Sequence, residues 1–119
     1  MVGFFSKRNQ KQKFDKLQKK ASLIFEYEMN PAPTVDRLHI INQGAGTARN
    51  IEVYIDTIPI KEWEYSVDED CDFPVMPSSS EISIRVLTDE AMKKRYGIRI
   101  KWEDDSCEPG ICEGIFETY

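Results

Sequence analysis

Apolar and polar residues alternate along most of the chain after residue 22, and this period of two is typical of strands with one buried face. The clearest run holds Tyr96, Ile98, Ile100 and Trp102, which alternate with a glycine and charged side chains. The same pattern predicts strands at 22–29, 37–42, 49–56, 81–88 and 112–118, and a weaker one at 58–67. Prolines and glycines separate these runs and indicate turns.

Six or seven short strands at regular spacing favour a two-sheet antiparallel sandwich. A single open sheet would leave one face wet, whereas both tryptophans and most isoleucines of this chain need cover. The 119 residues are enough for one domain and too few for two.

The first 21 residues differ in pattern from the rest. Phe14, Leu17 and Ala21 follow the spacing of one helix face. We therefore expect a basic helical tail at 1–21, followed by a β domain at 22–119. The apolar stripe of this helix is thin, so we expect the helix to need the domain, a partner or a membrane for stability.

Charge is divided unevenly between these two parts. Residues 1–20 hold seven basic side chains and one acidic side chain, a net charge of +6, whereas the remainder has nine basic and twenty acidic side chains, a net charge of −11. A basic tail on an acidic body indicates an anionic partner for the tail, and the body itself would repel nucleic acid. The candidate binding residues of the tail are Phe4, Phe5, Lys7, Arg8, Lys11 and Lys13.

These tail residues allow three interpretations. Two aromatic side chains beside a polybasic run suit the surface of an anionic membrane. The same charges would bind nucleic acid through counterion release, although the acidic body disfavours this. In the third interpretation, the tail is a solvated helix that packs on its own domain or on a second copy.

One segment carries a family resemblance. Residues 38–53 read LHIINQGAGTARNIEV, and they resemble the N-x-G-x-G-x-A-x-N-I signature of prokaryotic immunoglobulin-like and fibronectin-III-like sandwich modules, including the cell-adhesion-related type. The matching positions are Leu38, Ile40, Asn42, Gly44, Gly46, Ala48, Asn50, Ile51 and Val53. Residues 78–86 resemble strand E of such modules, and residues 96–110 resemble strand F with the F–G turn.

The resemblance implies a seven-stranded antiparallel immunoglobulin-like β-sandwich in which the motif joins strands B and C. Such modules serve as adhesion, spacer and protein-binding units, and most have no catalytic site. In physical terms, Gly44 and Gly46 would allow positive φ in the turn, Asn42 and Asn50 would bond turn backbone groups, and Ala48 would allow close packing.

Catalytic chemistry finds little support in the sequence. His39 is the single histidine and faces outward on its predicted strand, so we expect a surface or hydrogen-bonded histidine. The G-x-S-x-G sequence of a nucleophile elbow does not occur. Trp102 belongs to the predicted core, and Trp63 is expected to be partly exposed. We expect no catalytic residue and no cofactor.

Three cysteines do not describe a disulfide framework. Cys107 and Cys112 flank a predicted turn and would face each other across a hairpin, as a disulfide in an oxidising compartment or as free thiols in the cytosol. Their spacing does not match a zinc site.

Two acidic groups allow a calcium-binding alternative, because hard cations prefer clustered oxygen ligands. Their members are Asp68, Glu69, Asp70 and Asp72 in one loop and Glu103, Asp104, Asp105 and Glu108 in another. Neither group has the spacing of an EF-hand, so solvated loop charge is the default and we assign no metal ligand.

The function we expect is a non-enzymatic protein-interaction module that binds a protein partner or a second copy. The alternatives are a peripheral membrane protein tethered by its tail and a calcium-binding domain. No secretory h-region and no run of about 18 apolar residues is present, which predicts a cytoplasmic protein, peripheral to a membrane if the tail binds lipid.

Overall fold

The computed structural model describes residues 18–31, 35–67, 73 and 75–118, and within these ranges the chain forms two antiparallel sheets. In chain order the strands are β1 (Leu23–Glu28), β2 (Asp36–Asn42), β3 (Arg49–Ile55), β4 (Ile58–Pro59), β5 (Glu81–Val86), β6 (Arg95–Glu103) and β7 (Gly110–Glu117). The first sheet has the order β1-β2-β5 and the second the order β4-β3-β6-β7. The prediction of an antiparallel all-β chain is therefore confirmed, with seven strands in the described part.

The predicted N-terminal helix is not supported. Most of it falls on residues 1–17, which lie outside the described residues, and after them only Gln18 and Lys19 have helical backbone. The carbonyl of Lys20 accepts a hydrogen bond from Gly46, and the N–H of Ala21 donates to Asp104. These backbone groups therefore bond the β domain instead of continuing a helix. Ala21 is fully buried in the core.

The alternation read from the sequence places the predicted residues inside. On β6 the inward row is Tyr96, Ile98, Ile100 and Trp102, and each of these is less than a tenth exposed. Side chains from both sheets join one buried cluster. Burying an isoleucine stabilises the fold by about 2 kcal/mol, so this cluster supplies the main driving force.

The weak alternation at 58–67 proved misleading. Only Ile58–Pro59 forms a strand, and a 3₁₀ turn follows at Ile60–Glu62. Trp63, expected to be partly exposed, is 5% exposed and packs edge-on against Tyr96 with ring centroids 5.3 Å apart. The irregular backbone turns this large ring into the core, which a period-two pattern does not foresee.

The outer edges of the two sheets are covered to different degrees. Beyond β5, Val67 donates to Arg85 and Leu87 donates to Tyr65, so an irregular segment pairs with part of that edge. In the described part of the chain, β1 pairs only with β2 and β7 pairs only with β6. The two strands lie on the same side of the domain, where Tyr27 stacks on Phe116 at 4.5 Å.

Candidate functional site

The signature segment, residues 38–53, forms hydrogen bonds that hold the first residues of the domain in place. Asn42 is fully buried, and its side-chain oxygen accepts hydrogen bonds from Ser22 N at 3.2 Å and from Gly44 N at 3.0 Å. Its amide nitrogen donates to the carbonyls of Gly46 and Met76, both at 2.9 Å. The predicted turn-bonding role of Asn42 is confirmed, and it extends to two distant segments.

The predicted reason for the two glycines was wrong. No described glycine has positive φ; the left-handed residues include Asn50, with φ of 50°. A Cβ at Gly46 would lie 2.3 Å from the carbonyl oxygen of Lys19, and one at Gly44 would lie 2.5 Å from Ser22 N. The glycines are therefore needed because residues 19–22 cross directly over them. The space above this turn is filled by that backbone and cannot hold a phosphate group.

The acidic turn after β6 is built around a buried carboxylate. Asp104 accepts hydrogen bonds from Ala21 N at 2.8 Å, from Ser106 N at 2.9 Å and from the Ser106 hydroxyl. Burial alone would raise the pKa of Asp104, but these hydrogen bonds and the nearby Lys20 charge lower it below its usual value. The carboxylate is thus ionised and engaged by protein donors.

The acidic side chains of this turn are not arranged as the calcium hypothesis would require. Glu103 accepts from Asn50, and Asp105 lies 2.6 Å from Arg49. Across the ranges that the structure covers, no group of three or more histidine, cysteine or acidic side chains is placed to hold a metal ion. The other acidic group, residues 68–70 and 72, lies outside the described residues.

His39 stands at the centre of a polar cluster on the outer face of the first sheet. Its Nε2 lies 2.8 Å from Glu28 on β1, and its Nδ1 lies 2.7 Å from the Ser83 hydroxyl and 3.1 Å from Glu81 on β5. The expected outward, hydrogen-bonded histidine is confirmed. Histidine, serine and a carboxylate are the groups of a catalytic triad, but Glu81 competes with Ser83 for the same ring nitrogen. The arrangement is that of a hydrogen-bonded polar cluster that links three strands.

Cys107 and Cys112 are free thiols in this structure. Cys112 points inward from β7 and lies opposite Ile100, whereas Cys107 lies in the exposed turn with φ of 63°. The structure therefore contains no disulfide between these two residues. Burial raises the pKa of the Cys112 thiol, which makes it a poor nucleophile.

The most distinctive surface is the outward row of β7, which we call the β7 stripe: Ile111, Glu113, Ile115 and Glu117. Ile111 is 54% exposed and Ile115 is 64% exposed, the highest value among the large hydrophobic residues of the described part. Between them, Glu113 pairs with Arg99 of β6 at 2.8 Å. The stripe alternates apolar and acidic groups along a strand whose outer edge pairs with no other strand of the described ranges.

Small residues on the inward face of β7 explain how this edge strand is held. A Cβ at Gly110 would lie 2.1 Å from the Trp102 ring, and a Cβ at Gly114 would lie 2.6 Å from the Phe25 ring. Both aromatic rings therefore pack directly against the β7 backbone. This contact holds β7 against the core at a place where no described strand pairs with its outer edge.

A shallow cavity of about 540 Å³ adjoins the stripe on the same face. Tyr54, Gly97, Arg99 and Glu113 are among the residues that line it. Gly97 lies opposite Ile115 in the β6–β7 register, so the floor beside Ile115 is bare backbone. The sequence predicted that this face points outward, but it gave no sign that a glycine would open space there.

The predicted tail residues Phe4, Phe5, Lys7, Arg8, Lys11 and Lys13 lie outside the described residues. The structure therefore neither groups nor separates them. Among the described residues, none of the helical segments has the length and apolar character that crossing a membrane requires.

Sequence reasoning missed the buried Asp36. This residue is fully buried at the start of β2, and it accepts hydrogen bonds from the Tyr27 hydroxyl at 2.7 Å and from Asn30 N at 2.8 Å. It closes the β1–β2 connection. An aspartate next to a loop is usually exposed to solvent. In the sequence, only the neighbouring Asn30-Pro31 turn suggested that Asp36 would accept hydrogen bonds that close the β1–β2 connection.

Comparison with known proteins finds a family match over most of the chain. A family model described as "Domain of unknown function (DUF8453)" matches residues 2–114. No curated protein matches the chain. No solved structure matches it either.

Proposed function

The chain belongs to this family of unknown function, and we propose that it is a non-enzymatic, immunoglobulin-like sandwich module that binds a protein partner along β7. The strand orders support the immunoglobulin-like assignment. Sheets ordered β1-β2-β5 and β4-β3-β6-β7 correspond to strands A-B-E and C′-C-F-G of that fold. Most functions of such a fold reside in its exposed strands and loops, so the fold alone does not identify the binding site.

The β7 stripe is the observation that carries the proposal. An edge strand offers unpaired backbone N–H and C=O groups, and an extended segment of a partner can add to them as a further strand. Natural edge strands are usually short, covered or protected by lysine or proline. β7 has eight residues and two exposed isoleucines, and its stripe holds no lysine or proline. We therefore infer that it is kept for a partner.

The chemistry of the stripe defines the partner strand. Side chains directly opposite across two strands lie on the same face and interact. A segment that places apolar groups opposite Ile111 and Ile115 and basic groups opposite Glu113 and Glu117 would match the stripe. The exposed pair of Glu113 with Arg99 contributes little by itself, so Glu113 remains available to a second cation.

A second copy fits this edge less well than a basic partner. If two β7 strands paired antiparallel with Ile111 opposite Ile115, the two copies of Glu113 would lie directly opposite each other. Like charges in that position are destabilising. The stripe is therefore not complementary to itself, and the acidic body adds to the repulsion.

The test uses the full chain and a synthetic peptide in which valine and lysine alternate at every second position with threonine between them, so that one face of the extended peptide presents both. We expect the peptide to perturb backbone amide signals of β7 in NMR titration. Ile115→Glu should weaken binding at least tenfold, because it replaces an apolar contact with a third acidic group. Leu87→Glu is the matched control, since Leu87 is 57% exposed at the far side of the first sheet. Equal affinity of the two variants, or perturbations confined to other strands, would contradict the proposal.

A further inference from the structure

We propose that the shallow cavity over Gly97 receives an uncharged aromatic side chain of the partner and so anchors that partner beside the strand it adds to β7. This inference rests on the proposed function of β7 and names a second contact of the same partner. The cavity has a volume of about 540 Å³, which lies within the usual range for ligand pockets, about 300–1,000 Å³. It lies on the outer face of the second sheet, next to the β7 stripe.

The floor of the cavity is backbone that is already hydrogen-bonded. Gly97 N donates to Asp56 Oδ1 at 2.7 Å, and the Gly97 carbonyl accepts from Asp56 N at 2.9 Å. A Cβ added at Gly97 would make its nearest contact with Asp56 Oδ1, at 3.4 Å, whereas one at Gly114 would overlap a ring. The floor therefore offers open space over a flat surface, and an occupant has to bind it by area of contact.

The walls of the cavity include a phenol ring and a guanidinium group. Tyr54 of β3 and Arg99 of β6 lie opposite each other in the sheet register, and both line the cavity. The Tyr54 hydroxyl donates to Glu52 at 3.2 Å, and Arg99 pairs with Glu113 at 2.8 Å, so the polar ends of both side chains already have partners. An aromatic ring can stack on a guanidinium group and pack against a second ring. These walls favour a planar aromatic occupant.

The charges around the cavity favour an occupant without charge. Two acidic residues, Asp56 and Glu113, and two basic residues, Arg99 and Lys101, line it, and their formal charges cancel. The hydrogen bonds from Gly97 and Lys93 lower the pKa of Asp56, so its carboxylate is ionised at neutral pH. A charged side chain placed here would lose water without meeting a net opposite charge. An aromatic side chain does not carry that cost.

The turn beside the cavity has an unfavourable backbone conformation. Asp56 and Thr57 form the two-residue turn between β3 and β4, and their φ angles are 48° and 71°. Such turns usually contain Asn-Gly or Asp-Gly, because positive φ is costly for a β-branched residue. Residues strained in this way cluster at ligand-binding sites. Here the turn places Asp56 and Thr57 at the side of the cavity that lies away from β7.

A partner bound at β7 can reach this cavity. Gly97 lies opposite Ile115, so it is one strand spacing from β7 and two spacings, about 10 Å, from a strand added at the outer edge. Two extended residues span about 7 Å, and an aromatic side chain covers the rest. The partner therefore needs only a short extension of its added strand to place an aromatic residue over Gly97.

The first test uses a small probe and the full chain. N-acetyltryptophanamide stands for the aromatic side chain, and N-acetylalaninamide is the matched control compound. We expect N-acetyltryptophanamide to shift the backbone amide signals of Gly97 and Arg99 saturably in NMR titration. N-acetylalaninamide should leave these signals in place.

Variants of the floor locate the probe. Gly97→Val should weaken binding of N-acetyltryptophanamide severalfold, because the new side chain fills the space over the floor. Gly97→Ala adds one methyl group and should weaken it less, which keeps the test informative if valine disturbs the sheet. Ser83→Val is the control variant, since Ser83 is exposed on the other sheet, and it should bind the probe as the natural sequence does.

A linked peptide tests whether one partner fills both sites. The valine–lysine peptide is extended by Gly-Gly-Trp at its C-terminus or by Trp-Gly-Gly at its N-terminus, because the direction of the added strand decides which end lies near Gly97. We expect one of the two to bind about tenfold more tightly than the same peptide with alanine in place of tryptophan. Gly97→Val should abolish that gain and leave the affinity of the unextended peptide unchanged.

The outcomes separate this inference from the proposed function. If the unextended peptide binds β7 but N-acetyltryptophanamide shifts no signal around Gly97, the cavity is not an anchor site, although β7 remains a binding edge. Equal binding of the probe to Gly97→Val and to the natural sequence would also overturn the inference. If the probe binds at Gly97 but no peptide perturbs β7, the proposed function fails and the inference fails with it. A tryptophan-dependent gain that Gly97→Val abolishes would support both.

Discussion

The carboxylate of Asp104 accepts a hydrogen bond of 2.8 Å from the backbone N–H of Ala21, a residue 83 positions earlier in the chain. Both residues are buried. This bond joins the end of the basic tail to the turn between β6 and β7. It therefore sets where the tail leaves the domain, and it brings that point next to the edge on which we place the binding site.

Asp104 should make the protein less stable in acid. Because its pKa is lower in the folded chain than in the unfolded chain, the stabilisation is fully present above about pH 4, the ordinary range of an aspartate, and is lost as the pH falls below it. At neutral pH, Asp104→Asn should lower the free energy of unfolding by about 1–3 kcal/mol, because an amide cannot accept all the bonds of the carboxylate. Urea denaturation across this pH range measures both effects.

Asp105→Asn is the matched control for Asp104. Asp105 is the next residue, and its side chain is 61% exposed beside Arg49, so its replacement should change stability little. Asp104→Asn should also make the free energy of unfolding depend less on pH in acid. Some dependence should remain, because the pKa of Asp56 is likewise lowered in the folded chain. An unchanged curve would mean that the Asp104 carboxylate is not held as described.

Gly46→Ala should be strongly destabilising. The added Cβ would lie 2.3 Å from the Lys19 carbonyl oxygen, and backbone cannot move aside as a flexible side chain can. We expect a loss of several kcal/mol, at or above the upper range of overpacking substitutions, about 3 kcal/mol. Gly97→Ala is the control, because its nearest contact is 3.4 Å from Asp56 Oδ1. Similar denaturation midpoints for the two variants would refute the crossing of chain segments at Gly46.

Gly114→Ala tests the support beneath β7. Its Cβ would lie 2.6 Å from the Phe25 ring, so either the ring or the strand must shift. We expect a destabilisation of about 1–3 kcal/mol, together with faster amide exchange in β7. Phe25→Leu in the same background should recover part of the loss, since the smaller side chain gives room. A variant with unchanged stability and exchange would show that the ring does not pack on this glycine.

The strands were predictable because the alternation that identifies each of them is contained within a few consecutive residues. Ile98 and Ile100 alternate with charged neighbours, and burial of one face follows directly from the geometry of a strand. The same local pattern placed His39 outward. The polar cluster around that ring was not predictable, because Glu28 and Glu81 are brought to it by sheet pairing across distant parts of the chain.

Features that depend on contacts between distant segments escaped the sequence. Gly46 looked like a turn glycine, yet the chain that crosses it comes from the tail. Trp63 looked half exposed, since nothing nearby in sequence shows that Tyr96 will cover it. For β7 the alternation of isoleucine and glutamate was readable, but its place at the end of the strand order and the glycine opposite Ile115 appear only once the sheet is assembled.

His39→Ala tests the polar cluster on the first sheet, and Ile40→Ala is its matched comparison. The two residues are neighbours on β2 and point to opposite faces. We expect His39→Ala to cost about 1 kcal/mol or less, because its carboxylate partners are half exposed and water can replace the ring. Ile40 is fully buried, so Ile40→Ala should cost about 2–5 kcal/mol. Thermal unfolding of both variants measures the difference. Equal costs would mean that the cluster is central to the fold, and its role as a surface link between strands would have to be abandoned.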